Sequence, residues 1–519
     1  MTLHTPNTLT ELIARAGGAD ARTELEFVSP DSARTVKVGE IHARARRVAQ
    51  GLRESGVEPG SRVSVQLSNR LESVIAQFAV LMADAVLVPI VPVFGARDVT
   101  QVLQDARPRV HLTQRGWNKF DYLSVVEAVP EELRPPCVVM LDMLDDTPEG
   151  YVTWASLEQA EPLADEPLHD ESACCLVIYT SGSTGVPKGV RHSRRSLLAE
   201  AYDYDYRAYG DSAVDVYLQG SAAGHIGGYL FPLRAVLYRL RTLVMDGWNA
   251  ELACRLVESE KVTAMAATPF HAVGMIELAE AGRYDLSSIR MMMCGGAPVA
   301  PGLVRRADAC GVGLVRAYGM SEHPTVAIGR WRDPLGVRAE HDGYLTGGNR
   351  VRLVDEDGAE VLPGTPGEIQ LRGPEQFIGY TNVPDDQVFT GDGWFPTGDI
   401  GVSDHRGLLT VVDRKKNIII RGGENLSATE IEGVVATHPG VAEVAVVGIP
   451  DERYGERVCA FVVLREGATL DLEKLAAHFL ESGVAKQKIP ERLEFVETLP
   501  RTGTGKIRKH ELVRTLTEA

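Results

Sequence analysis

Between residues 41 and 67 the spacing of apolar side chains changes period. Ile41, Ala45, Val48, Ala49 and Leu52 recur every three or four residues, as one face of a helix requires, and Gly56 marks the stop. After Pro59 and Gly60 the run RVSVQL alternates through Val63, Val65 and Leu67, which predicts a strand and, with the helix before it, an αβ unit. Apolar runs of strand length return at residues 174–178, 262–266 and 289–293, each leading into a glycine-bearing loop. A largely parallel sheet flanked by helices has this texture, and its loops then share one rim. From about residue 331 to 412 short strands such as VRLVD and GEIQLRG alternate with turns such as DEDG and PGTPG, which predicts a β-rich subdomain. Beyond Asp413 an amphipathic helix near 429–437, the strands VAEVAVVG and VCAFVVL, and a helix near 470–481 predict a small α+β domain. The expected fold is therefore α/β, with a large N-terminal domain of flanked sheets over residues 1–412 and a small C-terminal domain over 413–519.

Composition narrows the class without naming a ligand. The chain has 519 residues and 44% hydrophobic content, enough for more than one substantial core. A formal charge of −17 argues against general affinity for nucleic acid or anionic membranes. The start, MTLHTPNTLTELIARAGGADAR, has neither a basic opening with an unbroken apolar core nor membrane-spanning length, so a cytoplasmic protein with no integral membrane segment is expected. Seven cysteines, odd in number and without a CxxC pair, read as reduced core thiols. There is no low-complexity segment or short-period repeat, and monomer and homodimer both stay open.

The segment carrying most chemistry is YTSGSTGVPKG, Tyr179 to Gly189, which follows the apolar run CCLVI. Gly182, Gly185 and Gly189 let the backbone bend so that N–H groups converge on an anion, Thr180, Ser181, Ser183 and Thr184 add donors, and Lys188 adds charge. That is a phosphate-gripping loop. It is not a Walker loop, because Pro187 precedes the lysine and Gly189 follows it.

This loop and the motifs after it resemble the signatures of the adenylate-forming superfamily, which groups acyl- and aryl-CoA synthetases, nonribosomal adenylation domains and beetle luciferases. The resemblance runs from about residue 36 to the end of the chain. CGGAP, which contains Cys294, Gly295, Gly296, Ala297 and Pro298, resembles the segment that lines the adenine and acyl sites. In RAYGMSE the resemblance implies that Tyr318, followed by Gly319 and Met320, stacks on adenine, while Ser321 and Glu322 approach the phosphates and Mg²⁺, with Glu322 as metal ligand. In TGD it makes Asp399 the ribose ligand, a task suited to a carboxylate that accepts two hydrogen bonds. In DRKKNIIIRGGEN it implies an interdomain hinge at about 413–417, with Arg414 as second ribose contact, Lys416 as pivot, and Gly422 and Gly423 lining a pantetheine tunnel. Lys506 in PRTGTGKIRK takes the place of the adenylation lysine. Three motifs depart from the usual pattern: Ser321 stands for the commoner Thr, Asp413 for Gly, and Leu426-Ser427 where Tyr-Pro often follows the Asn.

The activity implied is ATP-dependent acyl-CoA synthesis in two halves. A carboxylate first attacks the α-phosphorus of ATP, giving an acyl-adenylate and pyrophosphate, and the thiol of coenzyme A then displaces AMP. Between the halves the C-terminal domain, a mobile lid in this family, turns at the hinge, withdrawing Lys506.

GSAAGHIGG, Gly220 to Gly228, resembles the loop walling the acyl pocket, with His225 at a gate to the thiol tunnel. The small residues Gly220, Ala223 and Gly224 suggest unfilled volume and a roomy apolar pocket bordered by Cys294. No acidic residue lies in that loop to hold an α-amino group. IIIRGGEN, PDERYGERVCAFVV and KQKIPERLEFV are most similar to the branch activating medium-chain, alicyclic (cyclohexanecarboxylate-type), aromatic and steroid-derived acids. Two alternatives stand beside this reading. One is a stand-alone adenylating enzyme that loads an acid or amino acid onto a separate carrier protein. The other, a non-catalytic ATP-binding regulator, is opposed by the presence of Lys506, Glu322 and Asp399 together.

Overall fold

The computed structural model describes residues 6–18, 20–142, 150–164, 169–180, 188–203, 215–421, 424–451, 454–482, 486–501 and 507–517. Ser181, Gly182, Ser183, Thr184, Gly185, Gly422, Gly423 and Lys506 lie outside the described residues, as does the side chain of Lys416. By packing, the chain divides into two compact units, Met1–Arg350 with Leu371–Phe395, and Val351–Gln370 with Pro396–Ala519. A cut at Asp413 falls inside a strand, which is why residues 396–412 group with the C-terminal part.

The first unit opens with the αβ pattern. Helix α1 (Val38–Glu54) buries Val38, Ile41, Ala45, Val48, Ala49 and Leu52, the periodic face. Strand β1 (Arg62–Gln66) follows it, and then helix α2 (Leu71–Met82), in which every residue but Glu72 is buried. Next come β2 (Val86–Pro89), β3 (Cys174–Thr180) and β4 (Lys188–Ser193). One sheet orders these as β4-β3-β2-β1, then Val110–Gln114, Cys137–Leu141 and Tyr151–Thr153. Every neighbouring pair is parallel except β3 and β4, which form an antiparallel hairpin.

The second sheet of this unit carries β5 (Val216–Gln219), β6 (Arg241–Met245), β7 (Ala264–Ala267), β8 (Met291–Cys294), β9 (Leu314–Met320) and β10 (His323–Ile328). Its order β6-β5-β7-β8-β9 is parallel throughout, and β10 returns antiparallel to β9. Strands β7 and β8 start two residues later than their apolar runs, because Val262 and Ile289 enter the core before the ladder begins. Gly189 also differs from expectation. It sits inside β4 rather than in the loop, and a Cβ on it would lie 2.7 Å from Thr381 and 2.9 Å from Val177, so its smallness admits a close approach.

The second unit contains β11 (Phe395–Ser403) from Pro396 onward and β12 (Leu408–Arg414), antiparallel to each other, preceded by strands Arg350–Val354 and Gly367–Arg372 in the same ladder. A separate five-stranded sheet follows, with Ile418–Arg421, Glu424–Ser427, Val441–Asp451, Gly455–Leu464 and Arg492–Phe495. Helices α3 (Ala428–Ala436) and α4 (Leu472–Glu481) bury Ile431, Val435, Leu475 and Phe479 in its core. Ser427 caps α3 by accepting from the Glu430 N–H. The architecture is thus mixed α/β, with a large N-terminal and a small C-terminal domain. Among the described residues no helix is long and apolar enough to cross a membrane.

His111, on the strand beside β1, is fully buried, and burial pushes its imidazole down to about 4. The unfolded chain takes up this proton below about pH 6.5 and the folded one does not, so stability falls as pH drops from there towards 4. In urea unfolding, wild type is expected to lose about 2 kcal/mol relative to His111→Gln between pH 7 and pH 5. A pH-independent gap between the two proteins contradicts a neutral buried His111.

Candidate active site

Parallel pairing brings the predicted loops together. Tyr217 faces Ala264, Ala267 faces Cys294 and Cys294 faces Arg316, so the segments leaving β5, β7 and β8 emerge at the carboxyl edge of one sheet, where open α/β folds hold ligands. The 220–228 loop follows β5, Thr268 to His271 follow β7, and Gly295 to Pro298 follow β8. Gly296, with φ +75, is exposed there, as are Ala297 and Pro298. Tyr318, Gly319 and Met320 lie in β9 at a bulge, the ladder slipping between Tyr318 and Met320. A Cβ on Gly319 would fall 2.0 Å from the Pro324 carbonyl, so no other residue fits that bulge.

Ser321 and Glu322 form the turn from β9 to β10, held by three tethers. His192 Nε2 on β4 donates to the Ser321 carbonyl at 2.7 Å, and the Phe377 N–H donates to the Glu322 carbonyl at 2.9 Å. The Tyr380 hydroxyl donates to Glu322 Oε1 at 2.7 Å. Burial lowers His192 to about 4, so the ring is neutral, with its proton on Nε2. Tyr380 also packs under Lys188, whose Nζ stands 5.1 Å from the ring centroid, and bridges to Val190 of β4. Burial, then the Glu322 carboxylate, raises the Tyr380 phenol, which stays protonated. One tyrosine therefore joins the exit of the phosphate loop to the expected metal carboxylate. Sequence reasoning missed it; the signal was an aromatic residue in GYTN, Gly379 to Asn382.

Thr180 ends β3 and pairs with Lys188 across the hairpin, so the ends of the 181–187 segment are fixed in register. Among the described residues no cation forms an ion pair with Glu322, and its carboxylate keeps acceptor capacity. In the second unit Asp399 and Arg414 face each other across β11 and β12, with Arg414 Nε 3.0 Å from Asp399 Oδ1. Asp399 is nearly buried and Arg414 is half-exposed. Asp413, where glycine is usual, is buried and accepts from Ser427 Oγ at 2.7 Å and from the Thr429 N–H at 3.0 Å, fastening β12 to the start of α3.

The 220–228 loop corrects one expectation. A Cβ on Gly220 would lie 2.7 Å from the Trp248 ring, and one on Gly224 would lie 2.3 Å from Val91 Cα. Both glycines are filled against, not open, and Ala223 is buried over a water-sized void. Cys294 is fully buried in the core behind the rim, and burial pushes its thiol up to about 12. What the rim presents instead is aromatic. Trp248 packs on His271 with ring centroids 4.2 Å apart and the planes tilted by 41°, and Phe270 next to it is 72% exposed. Burial lowers His271 to about 4, and its Nδ1 accepts from the Thr268 N–H. His225 stands at the start of the short helix Ile226–Tyr229.

Residues 14–381 match the AMP-binding enzyme family, and residues 430–506 match the AMP-binding enzyme C-terminal domain. The chain belongs to the AMP-binding enzyme family. It is an AMP-forming acid–thiol ligase. It is 30% identical to the medium-chain fatty-acid–CoA ligase of Escherichia coli, over 91% of this chain and 85% of the relative. It is 32% identical to the indoleacetate–CoA ligase of Aromatoleum aromaticum, over 97% of each. ATP-bound MatB from Rhodopseudomonas palustris superposes with a TM-score of 0.86 at 25% identity, over 98% of this chain and 99% of that one. In this AMP-binding enzyme the turn after β9 and the end of the 181–187 segment at Lys188 thus share one tyrosine.

Tyr380→Phe keeps the ring beneath Lys188 and removes the hydrogen bond to Glu322. A bond to a charged group is worth about 2 kcal/mol, so acid-dependent pyrophosphate release is expected to slow roughly thirtyfold with the fold intact by circular dichroism. An unchanged rate shows that Glu322 is positioned without the phenol.

Proposed function

We propose that this enzyme joins an apolar carboxylic acid, medium-chain, alicyclic, aromatic or steroid-derived, to coenzyme A through an acyl-adenylate made from ATP. The observation that carries the reading is Glu322, bonded to Tyr380, whose ring packs beneath Lys188 at the exit of the phosphate loop, and ion-paired with no described cation. Mg²⁺ is commonly held by a single protein carboxylate together with substrate phosphates, and Glu322, which keeps acceptor capacity, would be that carboxylate. When bound, Mg²⁺ neutralises charge gathering on the phosphates. Lys188 and the donors Thr180, Ser181, Ser183 and Thr184 bind the phosphates, Tyr318 stacks on adenine beside Gly295 and Gly296, and Asp399 with Arg414 holds the ribose.

A carboxylate oxygen attacks the α-phosphorus and pyrophosphate leaves; Lys506 steadies both charges in that transition state. The thiol sulfur then attacks the acyl carbon, loses its proton and expels AMP. The hinge at 413–417 turns the C-terminal domain between the steps, with Lys416 as pivot and Gly422 and Gly423 beside the pantetheine arm. A turn at 413–417 has to break or carry along the contacts by which Asp413 holds Ser427 and Thr429.

Support for an apolar acid comes from the rim. The loop 220–228, Trp248 and the segment 268–271 carry no acidic residue and no fixed positive charge, and His271 is neutral, so an α-amino group or a second carboxylate has no partner there. Trp248, His271 and Phe270 offer ring faces to an apolar or cyclic body.

A panel of carboxylic acids scored by AMP release with and without coenzyme A tests substrate and acceptor together. Cyclic and medium-chain acids are expected to outrun acetate and amino acids, and coenzyme A to outrun a pantetheinylated carrier protein. Preference for acetate or for the carrier overturns the respective half of the proposal. Lys506→Ala is expected to slow adenylate formation about a hundredfold, near 3 kcal/mol, while transfer from supplied acyl-adenylate survives. Equal losses in both halves show a structural lysine.

A further inference from the structure

We infer that Asn69 is a positioning residue for the acid-binding loop. Asn69 lies just past β1, on the other sheet of the first unit, about 150 positions from the loop it touches. Its side chain is buried and both ends of its amide are used. Nδ2 donates to the Ser221 carbonyl at 2.8 Å, and Oδ1 accepts from the Ala223 N–H at 2.8 Å.

These two contacts grip the peptide groups on either side of Ala222, which fixes the backbone of that residue from outside the loop. Little else does so. Gln219 Nε2 makes a second bond to the Ser221 carbonyl, and the His225 N–H closes a turn onto the Ala222 carbonyl at 3.1 Å. Gly224 rests on the Val91 backbone past β2, so the loop is seated on the first sheet at two points. With Ala222 fixed, the turn to its carbonyl sets where His225 begins. Asn69 also donates its backbone N–H to the Asp246 carbonyl, two residues before Trp248, and so spans the start of both walls of the aromatic rim.

The geometry needs a donor and an acceptor on one short planar group. Alanine supplies neither, and an ionised aspartate sets a second negative oxygen against the Ser221 carbonyl. A protonated aspartate restores the pair, donating O–H to Ser221 and accepting from Ala223, and burial against the Ser221 carbonyl favours that neutral form, raising the carboxyl above its ordinary value of about 3.9 into the range the experiment spans.

The inference rests on the reading of loop 220–228 as the acid site, and the experiment separates the two. Steady-state KM for the best acid of the panel and KM for ATP are measured for wild type, Asn69→Ala, Asn69→Asp and His225→Ala. Asn69→Ala is expected to raise KM for the acid roughly tenfold, with KM for ATP changed less than twofold. Asn69→Asp is expected to show the same defect at pH 8 and to recover at least threefold relative to wild type at pH 5.5. If both constants move together in Asn69→Ala, or neither moves, the positioning role is wrong. Should Asn69→Ala fail to fold, the pH dependence of the Asn69→Asp to wild-type ratio decides, and a flat ratio overturns the proposal. If His225→Ala also leaves KM for the acid unchanged, the reading of the loop itself fails; if His225→Ala raises it and the Asn69 variants do not, only the role of Asn69 falls.

Discussion

The parallel ladder β6-β5-β7-β8-β9 is the constraint on which the first unit depends. Parallel strands need long returns, so each strand delivers its following loop to the same edge, and the register fixes which loops are neighbours. Trp248, the 220–228 loop, Phe270 with His271, and Gly295 to Pro298 reach one rim for this reason. None of them is near another in the chain. The switch to antiparallel pairing at β10 then puts the Ser321–Glu322 turn at the same edge of the sheet.

Beneath this turn lies a buried polar network that makes its position costly to change. His323 Nδ1 meets Glu375 Oε1 at 2.6 Å, Asn349 Nδ2 donates to the same oxygen at 2.7 Å, and Thr325 links onward by donating its hydroxyl to Glu200 at 2.7 Å. Arg234 pairs with Glu200, yet burial and the Glu375 carboxylate still hold the Glu200 carboxyl well above the usual range. Breaking one member strands the others away from water, and a buried unpartnered charge costs several kcal/mol. The aromatic group Phe377, Tyr380, Phe389 and Phe395 packs on the other side of the same turn, so the Glu322 carboxylate is approached by a phenol that has little freedom of its own.

Legibility differed by the physical range of each interaction. The helix at Val38–Glu54, strand Arg62–Gln66 and the helices Ala428–Ala436 and Leu472–Glu481 follow from periodicity, which a chain displays locally. The segment 179–189 stood out through its glycines and hydroxyls, and the motif order pointed to the family. Gly189, Gly220 and Gly224 were misread for one common reason: a glycine in sequence looks like freedom or empty space, and only the neighbours tell which. In the fold Thr381, Trp248 and Val91 occupy those sides. Tyr380 and Asn69 were silent because each acts on a partner in a distant part of the chain.

The sequence by itself determined the elements, the ligase family and the set of charged and hydroxyl side chains available for adenylation, since these depend on residue type and short-range spacing. Tertiary structure alone decided which of them share an environment. It gave Asp399 its arginine across β11 and β12, Glu322 its tyrosine, and Asp413 its hold on the start of the helix Ala428–Ala436. It also decided where the small residues are filled and where aromatic faces remain exposed. Packing and hydrogen bonding act between surfaces that chain connectivity does not order, so they come into being only when the sheets have formed.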